Sequence, residues 1–289
     1  MSVGQAGVSP ANSTGRMPVA PTAGTAMPLS VEMKIVAIAN QKGGVGKTTT
    51  AVNLGAALAE VGQRILLVDL DPQANATSGL GMEPQKLTQT VYDCLIRRIH
   101  ADSIISSTTI SNLSVLPANA DLAGAEIELV AVDHRESVLK VGLEKVQTQY
   151  EFIFLDCPPA LSLLTINGFV AASSILIPVQ CEYYAMEGLG RLMATLQRIQ
   201  GGLNPSLEIE GILLTMYDSR ISLARQVQDE IRAHFGEKVF RTIIPRNVTL
   251  AEAPSYGRPV MLYNAASVGA QAYLDLGKEL LNHGKESAR

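Results

Sequence analysis

The apolar residues of this chain fall into short continuous runs separated by longer amphipathic stretches. A continuous run of four to seven apolar residues is typical of a strand covered on both faces, as in a parallel sheet. Such runs predict strands at 34–39, 64–69, 113–116, 151–156, 174–179, 209–215 and 239–245. Helical patterns lie between or after them at 48–61, 87–101, 123–149 and 268–281. The alternation predicts an α/β fold with one doubly wound, mostly parallel sheet and helices on both faces.

Composition sets the boundaries of this domain. Of 289 residues, 47% are hydrophobic and 17% charged, which is typical of a globular protein with a large core. Residues 1–33 are biased toward Ala, Gly, Pro, Ser and Thr and have no apolar periodicity, so we expect a disordered N-terminal extension. The predicted domain covers 34–284, and 285–289 form a flexible C-terminal tail.

The main candidate for chemistry is the stretch 40–50, NQKGGVGKTTT, which lies between a predicted strand and a predicted helix. Its glycines let successive N–H groups point inward, and the helix dipole adds partial positive charge, so the stretch predicts a phosphate cradle. Lys47 would reach the β- and γ-phosphates, and the Thr48 hydroxyl would hold Mg²⁺. The whole nucleotide-binding set in the loop is Lys42, Gly43, Gly44, Val45, Gly46, Lys47, Thr48 and Thr49. A plain glycine turn between strand and helix is the alternative, and the sequence GKT in this context argues against it.

Acidic residues follow two of the predicted strands. Asp69 and Asp71 come at the end of the run 64–69, and Asp156 ends the run 151–156. Ligands of open α/β sheets bind at the carboxyl ends of the strands, which places these carboxylates beside the cradle. Four apolar residues followed by Asp form a Walker B pattern, whose carboxylate would bind Mg²⁺ through water or Thr48. Each pattern alone is weak, and its position after the glycine loop strengthens it.

Several motifs together resemble one family. The loop has Gln41 where the general P-loop pattern has glycine, and it carries an additional lysine, Lys42, just inside. With LLVDLDPQ, DCPP, PVQCEYYAMEGL and IPRNVTLAEAPSYG, this deviant Walker A motif resembles the Soj-type subgroup of the ParA/MinD ATPases from about Lys34 to the C-terminus. The resemblance implies Mg²⁺ and ATP as cofactors, a homodimer with ATP, and non-specific binding of double-stranded DNA in that state. It also implies slow ATP hydrolysis stimulated by a ParB-type partner, and segregation of chromosomes, plasmids or other cargo.

The resemblance assigns roles to individual residues. Lys42 would reach across the dimer to the partner's nucleotide, and Asp71 would orient the attacking water, so the catalytic set is Lys42, Lys47 and Asp71. Asp69 would lie near the metal shell with Thr48 and Asp156. Pro245 and Asn247 match the loop that contacts adenine.

The residues expected to bind DNA differ from those of the subgroup. Its members often place one arginine after the MYD-type loop and another inside the IPRNV corner. Arg220 matches the first, whereas Thr249 occupies the second. The formal net charge is −4, so only a local patch would attract phosphate. Candidate DNA-binding residues are therefore Arg220, Arg225, Arg246 and Arg258, with Lys238 and Arg241 less well placed. Taken singly, each could be a solvated surface charge.

Two other classes of protein fit the sequence less well. A MinD-like membrane-cycling ATPase needs a C-terminal amphipathic helix with a basic rim, but Asp275 and Glu279 lie on the polar side of the predicted helix, so a membrane partner is disfavoured. An iron–sulfur relative needs paired cysteines, whereas Cys94, Cys157 and Cys181 are widely spaced. Free thiols, no apolar run of membrane-spanning length and no signal sequence predict a cytoplasmic protein. The resemblance further implies association with the nucleoid.

Overall fold

The computed structural model describes Met1 and residues 33–286, with side chains to residue 282. The predicted N-terminal extension lies outside these residues apart from Met1 and Met33. Of the predicted C-terminal tail, Lys285 and Glu286 are described and belong to the last helix, and the rest lies outside the described residues. Across 33–286, eight strands form one sheet, which confirms the predicted fold class. The strands are Lys34–Ile38 (β1), Ile65–Asp69 (β2), Ser106–Ser107 (β3), Leu113–Leu116 (β4), Phe152–Asp156 (β5), Ser174–Gln180 (β6), Glu208–Tyr217 (β7) and Val239–Pro245 (β8).

The sheet order is β3-β4-β2-β5-β1-β6-β7-β8, and every neighbouring pair is parallel except β3 and β4. β1 pairs with β5 on one side and β6 on the other, so the chain crosses to opposite halves of the sheet around it. Such a switch point opens a crevice at the carboxyl ends of the strands. In that register Asp156 lies opposite Ile38 of β1 and Asp69 of β2, so three strand ends meet at one level.

The helices cover both faces of the sheet. They are Lys47–Glu60 (α1), Asn75–Gly79 (α2), Val91–Leu95 (α3), Leu122–Glu128 (α4), Val138–Leu143 (α5), Leu163–Ala171 (α6), Ala185–Gln200 (α7), Ser222–Phe235 (α8), Val248–Glu252 (α9), Val260–Asn264 (α10) and Val268–Glu286 (α11). α1 is buried over most of its length and packs against α11. The Thr50 and Tyr273 hydroxyls are hydrogen-bonded at 3.2 Å across this contact, which joins the C-terminal helix to the helix after the glycine loop.

Two long predicted helices are wrong in extent. The stretch 87–101 is helical only in α3 and one 3₁₀ turn, and 123–149 is divided into α4, α5 and short 3₁₀ turns. Arg98 and His134 adopt left-handed backbone angles, with φ 57° and 54°, and a right-handed helix cannot continue through such residues. The amphipathic pattern predicts helix correctly in these regions, but the interruptions carry no glycine or proline signal.

The cysteines are all free and buried. Burial raises the pKa of Cys94 and of Cys181 to about 11, and it raises the pKa of Cys157 further. Cys157 is therefore a packing residue and not a nucleophile, as expected for a thiol in apolar surroundings. None of the helices within 33–286 combines the length and the hydropathy that crossing a bilayer requires.

Candidate functional site

The glycine loop after β1 has the backbone that a phosphate cradle requires. Gly44 and Gly46 have φ of 73° and 88°, in the left-handed region that residues other than glycine rarely adopt. Gly46 is the N-cap of α1. Within the described residues no side chain caps α1, so the N–H groups of its first turn point into the loop. An anion in the loop would meet these N–H groups and the positive end of the helix dipole.

The loop is anchored to β6 and β7, two strands that lie on the same side of β1 in the sheet. The Thr215 hydroxyl at the end of β7 donates to the Val45 carbonyl at 2.8 Å. The buried Asn40 side chain donates to the Pro178 carbonyl of β6 at 2.8 Å and accepts from the Lys42 N–H at 2.9 Å. These contacts fix the cradle in place before any ligand binds. Sequence reasoning missed Thr215 and Asn40, whose roles depend on contacts between residues more than 100 positions apart.

Lys47 lies inside the loop, 7% exposed, and its ammonium donates to the Lys42 carbonyl at 3.2 Å. Desolvation lowers the pKa of Lys47, while Asp156 and Asp71 oppose that shift. The lysine is thus a cation held at the mouth of the cradle, where it can pair with phosphate oxygens.

Asp156 at the end of β5 is fully buried, and neither carboxylate oxygen has a hydrogen-bond partner within the described chain. Burial raises the pKa of Asp156 well above its ordinary value, and Asp69 raises it further, whereas the nearby Thr48 hydroxyl and Lys47 oppose the shift. A buried carboxylate without partners beside a hydroxyl fits a divalent cation. The described residues contain no group of three or more His, Cys, Asp or Glu side chains able to hold a metal. Mg²⁺ in nucleotide sites is usually bound by one or two protein ligands together with phosphate oxygens and water, and Thr48 and Asp156 would be those protein ligands here.

Asp69 has a different environment from Asp156. Its carboxylate accepts from the Thr77 N–H at 2.8 Å, the Thr77 hydroxyl at 2.7 Å and the Asp71 N–H at 3.1 Å. Burial raises the pKa of Asp69 to about 6, and these hydrogen bonds limit the rise. The Thr77 hydroxyl in turn accepts from the Ala118 N–H at 2.9 Å after β4. Asp69 therefore organises the loop that carries Asp71, and its place near the metal shell stays a prediction.

Asp71 lies half-buried on that loop, and its Oδ1 accepts from the Gln73 N–H at 2.9 Å. Ala74 follows with φ 53°, a strained value for a residue with a side chain. Asp71 is close enough to Lys47 to oppose the lowering of the lysine pKa. The structure thus brings together the predicted water-orienting residue and the phosphate-binding lysine.

Lys42 points away from the cradle, toward the surface. Its ammonium forms an ion pair with Glu182 at 2.5 Å, and the two side chains are 39% and 48% exposed. Tyr183 and Tyr184 next to Glu182 are 74% and 66% exposed and pack edge to face. The tyrosine pair is therefore on the surface, next to the ion pair of Lys42.

The predicted adenine residues line a cavity beside the cradle. This cavity of about 240 Å³ has Gly46 and Thr49 on one wall and Pro245 and Asn247 on the other. Asn247 is the N-cap of α9, where its side chain accepts from the Leu250 N–H at 3.3 Å, so its orientation is fixed. The placement fits a purine base next to the phosphates.

The four predicted DNA-binding arginines separate into two groups. Arg220 after β7 is 87% exposed and forms a bidentate pair with Asp218, whose pKa it lowers to about 2. Arg246 follows β8, donates its N–H to the Tyr217 carbonyl at 2.9 Å and also lowers the pKa of Asp218, so it lies near Arg220. Arg225 is exposed on the first turn of α8. Arg258 instead lines a separate cavity with Thr48 and Thr49.

A strand, a glycine-rich loop and a helix N-terminus, with a buried Walker B carboxylate on a neighbouring strand, define this protein as a P-loop NTPase of the deviant Walker A type. A family model described as an AAA domain matches residues 33–209. The chain is 57% identical over 251 residues to the sporulation initiation inhibitor protein Soj of Bacillus subtilis, covering 87% of this chain and 99% of the relative. It is 51% identical over 248 residues to the chromosome partitioning protein ParA of Myxococcus xanthus, covering 86% and 88%. The chain belongs to the Soj/ParA family of chromosome partitioning ATPases.

Solved structures agree with this assignment. Cobyrinic acid a,c-diamide synthase from Mycobacterium smegmatis, crystallised with ADP and magnesium, superposes with a TM-score of 0.77 at 38% identity, covering 89% of this chain and 97% of that one. The cell division ATPase MinD of Pyrococcus furiosus superposes with a TM-score of 0.72 at 25% identity, covering 86% and 98%. The nucleotide and metal of the first structure are of the kind that the cradle and Asp156 fit.

Proposed function

We propose that this protein is a Mg²⁺-ATP-dependent dimerising ATPase that binds double-stranded DNA without sequence preference in its ATP state. With a ParB-type partner it would segregate a chromosome, plasmid or other cargo on the nucleoid. The observation that carries the proposal is the pair of lysines in one loop: Lys47 is buried in the cradle, while Lys42 lies on an exposed rim. A second cation directed outward can serve a nucleotide held by another copy of the chain.

Each residue of the site would have a separate role in phosphoryl transfer. Lys47 and the loop N–H groups would neutralise charge that develops on the β–γ bridge and the γ-phosphate. Asp71 would orient a water in line with the γ-phosphate, and Asp69 would keep the Asp71 loop in place. Mg²⁺, held by Thr48 and Asp156, would supply further charge neutralisation when bound. Lys42 of the partner protomer would complete the site, which makes hydrolysis slow in the monomer.

DNA binding would use Arg220, Arg225 and Arg246. Arg220 and Arg246 follow adjacent parallel strands, and the charge of each lowers the pKa of Asp218, so both lie near this carboxylate. A dimer would double this patch and strengthen a contact that one copy makes weakly. Asp218 pairs with Arg220 and reduces the local positive potential, so one copy would bind DNA weakly. Contacts of arginines with DNA phosphates are independent of sequence and weaken as the salt concentration rises.

DNA co-sedimentation tests the proposal directly. We expect the parent to bind with ATP but not with ADP or without nucleotide, and to lose affinity steeply between two salt concentrations as counterions are released. Arg220→Glu should abolish this binding while nucleotide affinity is unchanged. Lys86→Glu is the matched control, since Lys86 is an exposed, ion-paired lysine on another part of the chain. Equal DNA binding by Arg220→Glu and the parent would exclude this patch.

Thr249→Arg tests the departure from the subgroup. It would restore the second arginine, and the slope of log affinity against log salt should steepen by about one unit for each additional phosphate that the protein neutralises. Its side chain would replace a hydroxyl that is hydrogen-bonded to Asn247, so nucleotide affinity must be measured in parallel. An unchanged salt slope would contradict a DNA contact at this corner.

A MinD-like membrane cycle is the alternative, and the MinD fold similarity is its support. The polar side of α11 carries Asp275, which is 50% exposed, and Glu279, whose carboxylate accepts from the Arg241 and Thr242 N–H groups. Lys278 pairs with Asp275, so the side chains of α11 described to residue 282 lack the excess of basic residues that binds an anionic membrane surface. Co-sedimentation with anionic liposomes and ATP should therefore leave the protein in the supernatant, and nucleotide-dependent pelleting would favour the alternative.

A further inference from the structure

Arg258 lies next to the phosphate cradle, on a different cavity from Arg246, which lines the base cavity. It lines a cavity of about 440 Å³ together with Thr48 and Thr49 from the first turn of α1, and Asn75 and Ser78 of α2 form another part of the wall. Thr49 also lines the base cavity, so the two cavities meet at the first turn of α1. Arg258 therefore lies beside the two hydroxyls that follow the phosphate-binding lysine.

The backbone on both sides of Arg258 is held tightly. Gly257, at φ 61°, packs so closely on Gly81 that a Cβ atom on Gly257 would lie 2.7 Å from the Gly81 Cα. Two residues beyond Arg258, the Val260 N–H donates to the buried Asn53 side chain of α1 at 2.7 Å. These two contacts fix the position of the Arg258 backbone relative to α1 and to the segment after α2.

The charge of this cavity is unbalanced. Among the residues that line it, all of them in the described part of the chain, Arg258 is the one charged side chain. Within residues 33–282 its guanidinium has no hydrogen bond or ion pair, in contrast to Arg220 with Asp218. An exposed arginine next to threonine and serine hydroxyls, with no carboxylate among these lining residues, is an environment that suits phosphate oxygens.

We propose that Arg258 is a phosphate-contacting residue of the nucleotide site and does not belong to the DNA surface. Its guanidinium binds the phosphates of the bound nucleotide from the side of Thr48 and Thr49. Through the contact of Gly257 with Gly81, nucleotide binding at Arg258 also restrains the segment after α2, in the loop region that begins with Asp71. This inference rests on the proposed function, because it takes a nucleoside triphosphate as the ligand of the cradle.

Calorimetric titration with a slowly hydrolysed ATP analogue and Mg²⁺ tests the assignment. We expect Arg258→Ala to bind the analogue about ten- to hundredfold more weakly, the loss typical of hydrogen bonds to a charged group. Arg258→Lys keeps the charge but not the bidentate geometry, so its loss should be smaller. Arg198→Ala is the matched control, an exposed arginine in the last turn of α7, and should bind like the parent. At saturating nucleotide, Arg258→Ala should bind DNA as the parent does.

The outcomes separate this inference from the proposed function. If the parent binds the analogue and Arg258→Ala binds it equally well, the inference is overturned and the proposed function stands. If Arg258→Ala loses DNA binding with unchanged nucleotide affinity, Arg258 is a DNA contact and the inference is again overturned. A parent that fails to bind the analogue overturns the proposed function, and the inference with it. Thermal melting of each variant without ligand checks that the fold is retained.

Discussion

Asp156→Asn should stabilise the ligand-free protein while it removes the metal site. In the parent, a carboxylate is buried at the end of β5 with neither oxygen hydrogen-bonded within the described residues, and Asp69 lies opposite it in the sheet. A buried polar group without a partner costs about 1–3 kcal/mol, and more when it is charged. An asparagine amide carries no charge, so a net gain of about 1–2 kcal/mol is expected at pH values where the parent carboxyl is ionised.

The gain should depend on pH in a defined direction. The pKa of Asp156 is raised above its ordinary value of 3.8, so the folded parent binds more protons than the unfolded chain between those two values. The stability of the parent therefore falls as pH rises through the raised pKa, whereas this loss is absent in the variant. The difference between the two proteins should shrink toward zero as pH approaches 4.

With Mg²⁺-ATP bound, the parent should be more stable than Asp156→Asn. At a concentration 100 times its dissociation constant, Mg²⁺-ATP stabilises a protein that binds it by about 2.7 kcal/mol. The parent is stabilised by this amount. Asp156→Asn is stabilised by less, because one carboxylate of the Mg²⁺ site is missing. For a domain of this size, 1 kcal/mol shifts the melting temperature by about 2–4 °C.

The assay is thermal melting from pH 5 to 8.5, with and without a slowly hydrolysed ATP analogue and Mg²⁺. Asp275→Asn is the control: Asp275 is exposed and ion-paired with Lys278, which lowers its pKa, so its removal should give no gain at high pH. If ligand-free Asp156→Asn melts below the parent at pH 8, the buried carboxylate does not destabilise the ligand-free protein.

Three further predictions concern the cycle and the loop contacts. Asp71→Ala should bind ATP and accumulate as a dimer with little hydrolysis, and normal steady-state turnover would remove Asp71 from the mechanism. Lys42→Gln should keep nucleotide affinity but lose ATP-dependent dimerisation or hydrolysis; size-exclusion chromatography with an ATP analogue decides, and an unchanged dimer with unchanged turnover would refute the cross-dimer role. Gly257→Ala places a Cβ atom 2.7 Å from the Gly81 backbone at a positive φ, so it should lower stability by about 1–3 kcal/mol in a denaturant titration. Gly188→Ala, where a Cβ meets no atom within 4 Å, is its control; Gly188 lies in α7, so this change should leave stability unchanged or raise it by up to about 1 kcal/mol.

The strands were predictable because their signal is local. β8, Val239–Pro245, has the bounds that its apolar run predicts, and this last strand needs no information from its neighbours. The two-residue edge strand β3 could not be found in this way, because Ser106–Ser107 has no apolar pattern and exists only through pairing with β4.

The parts of the site that are formed by consecutive residues could be predicted from the sequence. The cradle and the Walker B carboxylate are local motifs, and the structure places them together at one edge of the sheet. The role of Asp69 could not be read, since its pattern, DLD, does not reveal that Thr77 satisfies the carboxylate. The location of Arg258 was equally hidden, because it depends on a glycine pair far apart in the chain.

The buried thiols make this protein suitable for distance measurements between protomers. With pKa values of about 11, Cys94 and Cys181 are ionised at pH 7 to about one part in ten thousand, and Cys157 still less. Maleimide spin labels react with thiolates, so the natural cysteines should stay unmodified in the folded protein. The variant Val248→Cys, at a position that is 70% exposed beside the base cavity, could then be labelled selectively without first removing any native cysteine. Label-to-label distances with ATP and with ADP would follow the association of two protomers in solution.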